Sequence, residues 1–175
     1  DKVLIYGATS GVGSAAIQIA KYFGATVYTT VRDDSKIKHA KKMGADFIYK
    51  HDNKDWVLEI KEELKDNKID IIFEHIGANT WNDSLRLLAK GGRIVTCGAT
   101  TGSNVEINLA HLFMKQQSIL GSTMSDIESF NEVMELIENK IFFPFIDKVY
   151  SFSNIKDAHQ RIEKRAQFGK VVLIP

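Results

Sequence analysis

The sequence predicts an α/β fold built on a doubly wound parallel sheet, and three observations point to it. Short apolar runs alternate with stretches of helical periodicity along the whole chain. The links between them are mostly short, and the first apolar run passes directly into a helix through a glycine-rich turn. At 175 residues the chain is one domain of ordinary size, long enough to bury a real core.

Each element follows from its residues. Val3-Leu4-Ile5-Tyr6 is a buried strand with Gly7 directly after it, and Val12, Ala15, Ala16, Ile19, Ala20 and Phe23 recur at helical spacing. That stripe predicts an amphipathic helix with these side chains in the core. Gly24-Ala25 caps it, and Thr26 to Val31 is a β-branched second strand. Ser35 is placed to cap a short helix through Lys42, which Gly44-Ala45 ends. Phe47-Ile48-Tyr49 is a third strand, Asp55 to Leu64 a helix with Trp56, Ile60 and Leu64 on one face, and Ile69 to Phe73 a fourth strand. A helix over Trp81 to Leu88 and a Gly91-Gly92 turn lead into a fifth strand, Arg93 to Cys97. A short helix over Leu109 to Lys115 precedes the sixth strand, Ser118 to Gly121. Ser125 to Asn139 reads as a helix whose Ile127, Phe130, Val133, Met134 and Ile137 form core. Phe143-Pro144 breaks the pattern, and the tail carries a strand at Lys148 to Tyr150, a helix over Asn154 to Arg165 and a last strand at Val171 to Ile174. The two tail strands either extend the sheet or belong to a neighbouring domain.

Composition narrows the function. Apolar residues make up 44% and charged residues 26%, values of a soluble globular chain. A net charge of +1 gives no reason to expect a nucleic-acid or membrane partner. Cys97 is the one cysteine, so no internal disulfide can form and a reducing, cytoplasmic setting is expected. No signal peptide is legible before the first strand, and no apolar run approaches the roughly 18 residues of a membrane span. The chain opens almost on a strand, at Asp1, as expected of a piece of a longer protein.

The glycine turn carries the chemistry. Gly11-Val12-Gly13-Ser14-Ala15-Ala16 fits G-x-G-x-x-(G/A) between a strand and a helix, the context in which that motif binds a dinucleotide diphosphate. Glycines let main-chain amides approach the ligand, and the first turn of the helix offers unpaired N–H groups and a positive dipole end. In such folds the ligand lies across the carboxyl ends of the strands, where this chain is rich in small and polar residues. At the end of the second strand stand Val31 and Arg32, with Lys36 a turn further on. Two cations there favour NADP(H) through charge-assisted bonds to a 2′-phosphate. Asp33, about 20 residues beyond the glycines, and Asp34 would favour NAD if the strand ended one residue later.

Other signals are weaker. His39, His51, His75, His111 and His159 have no metal-site spacing, and Cys97 has no partner, so no metal site is expected. His75, after a buried strand, is expected to be a hydrogen-bonded structural residue, and Cys97 an inert buried thiol. The turn also fits the glycine signature of short-chain dehydrogenases, but no tyrosine has a lysine four residues on. A phosphate-loop NTPase would need lysine after Gly13, where Ser14 stands.

The segments YGATSGVGSAAIQIAK, KKMGAD, FEHIGANTW, LAKGGRIVTCGATTG, LFMKQQSILGSTM, DAHQRIEKR and FGKVVLIP together resemble the cofactor half of a medium-chain dehydrogenase/reductase, in the zinc-type alcohol dehydrogenase and quinone oxidoreductase branch. The resemblance implies a Rossmann-type domain over residues 1–147, with 148–175 as the returning tail of a catalytic domain that otherwise lies outside this sequence. It implies NAD(P)-dependent hydride transfer on an alcohol, aldehyde, ketone, enone or quinone. Any zinc would belong to the missing domain, so this segment would bind cofactor without catalysing alone. Gly7, Thr9, Ser10, Gly11, Val12 and Gly13 would cradle the diphosphate, and Ser10 points to the quinone-reductase style of turn. Val31, Arg32, Lys36 and His51 would surround the adenosine phosphate. His75, Ile76, Gly77, Gly98, Ala99, Thr100, Gly121, Ser122 and Thr123 would approach the nicotinamide. It also implies a homodimer or higher homo-oligomer joined through the strand at Ser118 to Ser122. A non-catalytic NAD(P)-binding regulatory module is the competing reading, and an adenosyl binder of methyltransferase type a third.

Overall fold

The computed structural model describes residues 1–65 and 67–175. Its centre is a parallel sheet of six strands: β1 (Lys2–Ile5), β2 (Thr26–Val31), β3 (Phe47–Lys50), β4 (Ile69–Glu74), β5 (Leu88–Thr96) and β6 (Ser118–Gly121). They lie in the order β3-β2-β1-β4-β5-β6, so the order reverses between β1 and β4. A crevice at the carboxyl ends of the strands forms at such a reversal. Leu4 is in register with Tyr28 on one side and Ile72 on the other.

Period-two alternation splits the core into two layers. Leu4 and Tyr6 turn to a layer with Trp56, Ile60, Leu64, Trp81 and Leu85, from helices α3 (Trp56–Leu64) and α4 (Ala78–Leu87). Val3 and Ile5 turn to the other, with Ile17 of α1 (Gly11–Tyr22) and Ala40 of α2 (Ile37–Lys42). Short helix α5 (Leu109–Met114) precedes β6, and α6 (Ile127–Glu138) follows it.

Helix α1 is rotated from the orientation its apolar stripe predicts. Its buried residues are Gly13, Ser14 and Ile17, while Val12 is 44%, Ile19 40% and Phe23 79% exposed. The reason is a close approach at its start: a Cβ on Gly13 would lie 2.2 Å from the Gly7 carbonyl oxygen. That contact fixes which face meets the sheet and turns the larger apolar residues outward. Helix α6 departs further, with Ile127 74% and Phe130 53% exposed, so its expected core stripe is uncovered in this chain.

Three local expectations are corrected. Asp33, not Ser35, caps the turn before α2, its carboxylate accepting from the Ser35 amide at 3.0 Å and from the Ser35 hydroxyl. The β5 strand starts at Leu88, and Gly91-Gly92 lies within it, where the register with β4 shifts between Ile69 and Ile71. Strand β5 ends at Thr96, which leaves Cys97 in the following loop with an exposed thiol.

The tail strands do not extend the sheet. Strands β7 (Ile146–Ser151) and β8 (Lys170–Ile174) pair with each other, with α7 (Ile155–Glu163) between them. Asp147 and Arg161 hold β7 to α7 through a two-pronged ion pair. The start of β8 is tied to the glycine turn, because Gly169 N–H donates to the Thr9 carbonyl at 2.7 Å. Among the described residues no helix is long and apolar enough to cross a membrane.

Candidate functional site

The glycine turn connects β1 to α1 at the middle of the crevice. Gly7 takes φ +63°, and Ser10 caps the helix by accepting from Gly13 N–H at 2.8 Å. The Ser10 carbonyl accepts from Ser14 N–H. Among the described residues nothing accepts from the Gly11 and Val12 amides, so two donors at the positive end of the helix are available to an anion. Thr9 is buried behind them.

The tail contributes a charge that the motif does not contain. Lys170, the first residue of β8, lies across Gly11: a Cβ there would meet its Cε at 2.5 Å and its Nζ at 3.0 Å. An ammonium beside the positive end of a helix is unfavourable unless an anion sits between them. Lys170 thus places its ammonium beside the first turn of α1, next to the two free amides. Sequence reasoning missed Lys170 because the only link between it and Gly11 is a fold contact across almost the whole chain. The FGKVVLIP segment was visible, but nothing in it says where β8 lies.

A second concentration of positive charge lies beyond β2. Val31 ends the strand, as read from the sequence, and Arg32 follows it on the surface. Lys36 is buried, and its ammonium donates to the Arg165 carbonyl at 2.9 Å and the Gln167 carbonyl at 3.5 Å. Desolvation, partly offset by Asp33, lowers its pKa. Lys36 thus braces the segment bearing Arg165, which takes a left-handed conformation at φ 52°. His51 shares this neighbourhood. Desolvation lowers its imidazole pKa, Asp52 opposes the shift, and the charges of Arg32, Arg165 and Lys36 reinforce it. Arg165 is a second residue that sequence reasoning missed. Of the nearby carboxylates, Asp33 is taken up as a cap and Asp34 pairs with Lys50 at 3.2 Å.

An open cavity of about 510 Å³ lies at the ends of β4, β5 and β6. Gly77, Gly98, Ala99, Gly121, Ser122 and Thr123 line it, together with Trp81 and Cys97. His75, Ile76 and Thr100 are not among its lining residues. His75 Nε2 is 2.9 Å from the Tyr6 carbonyl, so that nitrogen carries the proton and donates. The Thr100 hydroxyl is within 3.5 Å of the His75 and Ile76 carbonyls. Cys97, with burial first and Glu74 second as causes, has a pKa above the usual thiol value and is not an activated nucleophile. Among the described residues no group of three or more His, Cys, Asp or Glu is gathered to hold a metal ion.

A reversal of strand order, a glycine turn with free amides, a basic patch at one end and a small-residue cavity at the other define a nucleotide-binding α/β domain. The chain belongs to the zinc-binding dehydrogenase family, whose model matches residues 11–139. It is 29% identical over 181 residues to quinone oxidoreductase of Rattus norvegicus, covering 99% of this chain and 54% of that protein. The crystal structure of an NAD-dependent alcohol dehydrogenase superposes with a TM-score of 0.91 at 36% identity, over 100% of this chain and 51% of the other. A 2-octenoyl-CoA carboxylase reductase in complex with NADP and 2-octenoyl-CoA superposes with a TM-score of 0.87 at 28% identity, over 99% and 43%. The chain thus spans about half the length of the curated relatives it matches. These findings bear out the medium-chain dehydrogenase/reductase resemblance and the Rossmann-type fold.

Proposed function

We propose that this chain is the cofactor-binding half of an oxidoreductase of the alcohol dehydrogenase and quinone reductase type, with NADP(H) preferred. The supporting observation is the basic patch at the end of β2, where the charges of Arg32, Arg165 and Lys36 gather around His51 while Asp33 is taken up as a cap and Asp34 pairs with Lys50. Guanidinium groups suit that dianion, and Lys36 keeps Arg165 in place. The Gly11 and Val12 amides and Lys170 would hold the diphosphate, and the cavity lined by Gly77, Gly98 and Ser122 would receive the nicotinamide. When bound, the nicotinamide supplies or accepts the hydride; the residues of this chain bind it, orient it and exclude water.

The substrate is a small alcohol, aldehyde, ketone, enone or quinone, held by the rest of the protein, which also supplies zinc if the enzyme uses it. The β7–β8 sheet and α7 belong with that part, which accounts for their separation from the main sheet. Strand β6 is an outer edge with Leu120 exposed, and it pairs with its twin in a homodimer.

Calorimetric titration of the full-length protein with NADPH and NADH tests the cofactor reading. Tighter NADPH binding is expected, with the preference lost in an Arg32→Ala, Arg165→Ala double variant. Charge-assisted bonds of about 1.5–3 kcal/mol make that loss about tenfold or more. Tighter NADH binding by the wild type would refute the 2′-phosphate assignment.

A further inference from the structure

Glu74, the last residue of β4, has a side chain with 0% exposure, and among the described residues no cation pairs with it. Hydrogen bonds stabilise it instead. Oε1 accepts from Ile76 N–H at 2.7 Å, Gly77 N–H at 3.1 Å and the Thr80 hydroxyl at 3.0 Å. Oε2 accepts from the Ser84 hydroxyl at 2.9 Å and lies 2.9 Å from the Thr80 hydroxyl. The one proton of Ser84 is committed to Glu74, so the Tyr6 hydroxyl, 2.8 Å from Ser84 Oγ, donates to Ser84. The relay runs from Tyr6 through Ser84 to Glu74.

This arrangement does more than cap α4. Tyr6 immediately precedes the glycine turn, and its carbonyl accepts from His75. The Glu74 carbonyl accepts from Cys97 N–H at 3.1 Å. The ends of β1, β4 and β5 therefore meet at one residue. On its far side the 75–78 turn is pressed against the 98–102 loop: the Thr101 amide and hydroxyl each donate to the Ile76 carbonyl at 2.8 Å, and Ala78 N–H donates to the Gly102 carbonyl at 3.1 Å. At Gly77, with φ +94°, a Cβ would lie 2.4 Å from that Gly102 oxygen. Gly77, Gly98, Ala99 and Gly102 all line the 510 Å³ cavity.

We infer that Glu74 is a positioning residue for the nicotinamide subsite, locking the 76–77 turn against the 98–102 loop so that the cavity wall is set before the ring enters. The inference rests on the cofactor reading above. Glutamine at this position keeps the volume but places an N–H₂ where one oxygen accepted, so the Ser84 and Tyr6 protons must reverse and one buried donor loses its acceptor. The adenosine subsite, beyond β2, has no part in the network.

The test measures, for the full-length protein, affinity for whichever of NADPH and NADH binds tighter, and for its adenosine fragment, 2′,5′-ADP or 5′-AMP. In Glu74→Gln the dinucleotide should weaken by about tenfold or more, with the fragment within about twofold of wild type. Thr80→Val, which keeps the carboxylate, should show the same split at about threefold. Equal weakening of dinucleotide and fragment in both variants would mean a merely structural role and overturn the inference, as would unchanged dinucleotide affinity. Wild-type protein that binds neither ligand overturns the cofactor reading itself, a different result from a bound wild type with an indifferent Glu74→Gln.

Discussion

Gly13→Ala is a sharp probe of how the fold builds the site. The added methyl would lie 2.2 Å from the Gly7 carbonyl oxygen, 2.9 Å from its carbon and 3.0 Å from Ser10 Oγ. Reaching even a 3.0 Å contact with that oxygen requires α1 to withdraw from the end of β1 by about 0.8 Å, and close-packed interiors resist such shifts. Overpacking of this kind costs about 1–3 kcal/mol, which in a domain of this size lowers Tm by about 2–4 °C per kcal/mol. The shift also moves the Gly11 and Val12 amides off the diphosphate, so NADPH and NADH should both weaken by tenfold or more, about 1.4 kcal/mol or above. Gly24→Ala is the control: its φ is +74° but nothing lies within 4 Å of the new methyl, so it pays backbone strain of about 1–2 kcal/mol and leaves binding intact. Thermal unfolding and calorimetric titration of both variants decide the matter. Wild-type affinity in Gly13→Ala would refute the claim that close helix–strand approach sets the amides.

Two further outcomes follow from the tail. Lys170→Met should weaken NADPH and NADH equally, since both carry the diphosphate, and the deficit should shrink as salt is raised; a loss confined to NADPH would place Lys170 at the 2′-phosphate instead. The Arg161 hydrogen bond, opposed by burial, holds Asp147 below the usual carboxylate range, and its side chain is only 6% exposed. Because the folded pKa is depressed, this stabilisation is full above the unfolded value of about 3.9 and is lost as pH falls through the folded one. Asp147→Asn should therefore lower Tm near neutrality, by about 1–3 kcal/mol of stability, and flatten the decline below pH 4. An unchanged acid limb in scanning calorimetry would contradict the assignment.

Much of this molecule was legible in its residues because the signals are local. Alternating runs of apolar residues defined six strands, and the position of Val31 at the end of β2 was read correctly because a β-branched run stops there. The glycine turn and the small residues after β4, β5 and β6 located the crevice. Where the structure differs, packing and local geometry decide. Of the α1 stripe, Ala16 and Ala20 pack against the core, while Val12, Ile19 and Phe23 face out because Gly13 against Gly7 sets the helix rotation. The α6 stripe is apolar enough for a core, but among the described residues no surface covers Ile127 or Phe130. Cys97 was placed inside a strand that stops one residue earlier.

The strand and helix segments and the glycine turn were set by patterns a few residues long, since periodicity and backbone freedom act over single turns of chain. Tertiary structure alone brought Lys170 onto Gly11, put the Lys36 ammonium on the Arg165 carbonyl, and gathered Tyr6, Ser84 and Thr80 around Glu74. Those pairings join residues distant in the chain through hydrogen bonds and charge, which leave no periodic trace in a sequence and exist once packing has fixed the distances.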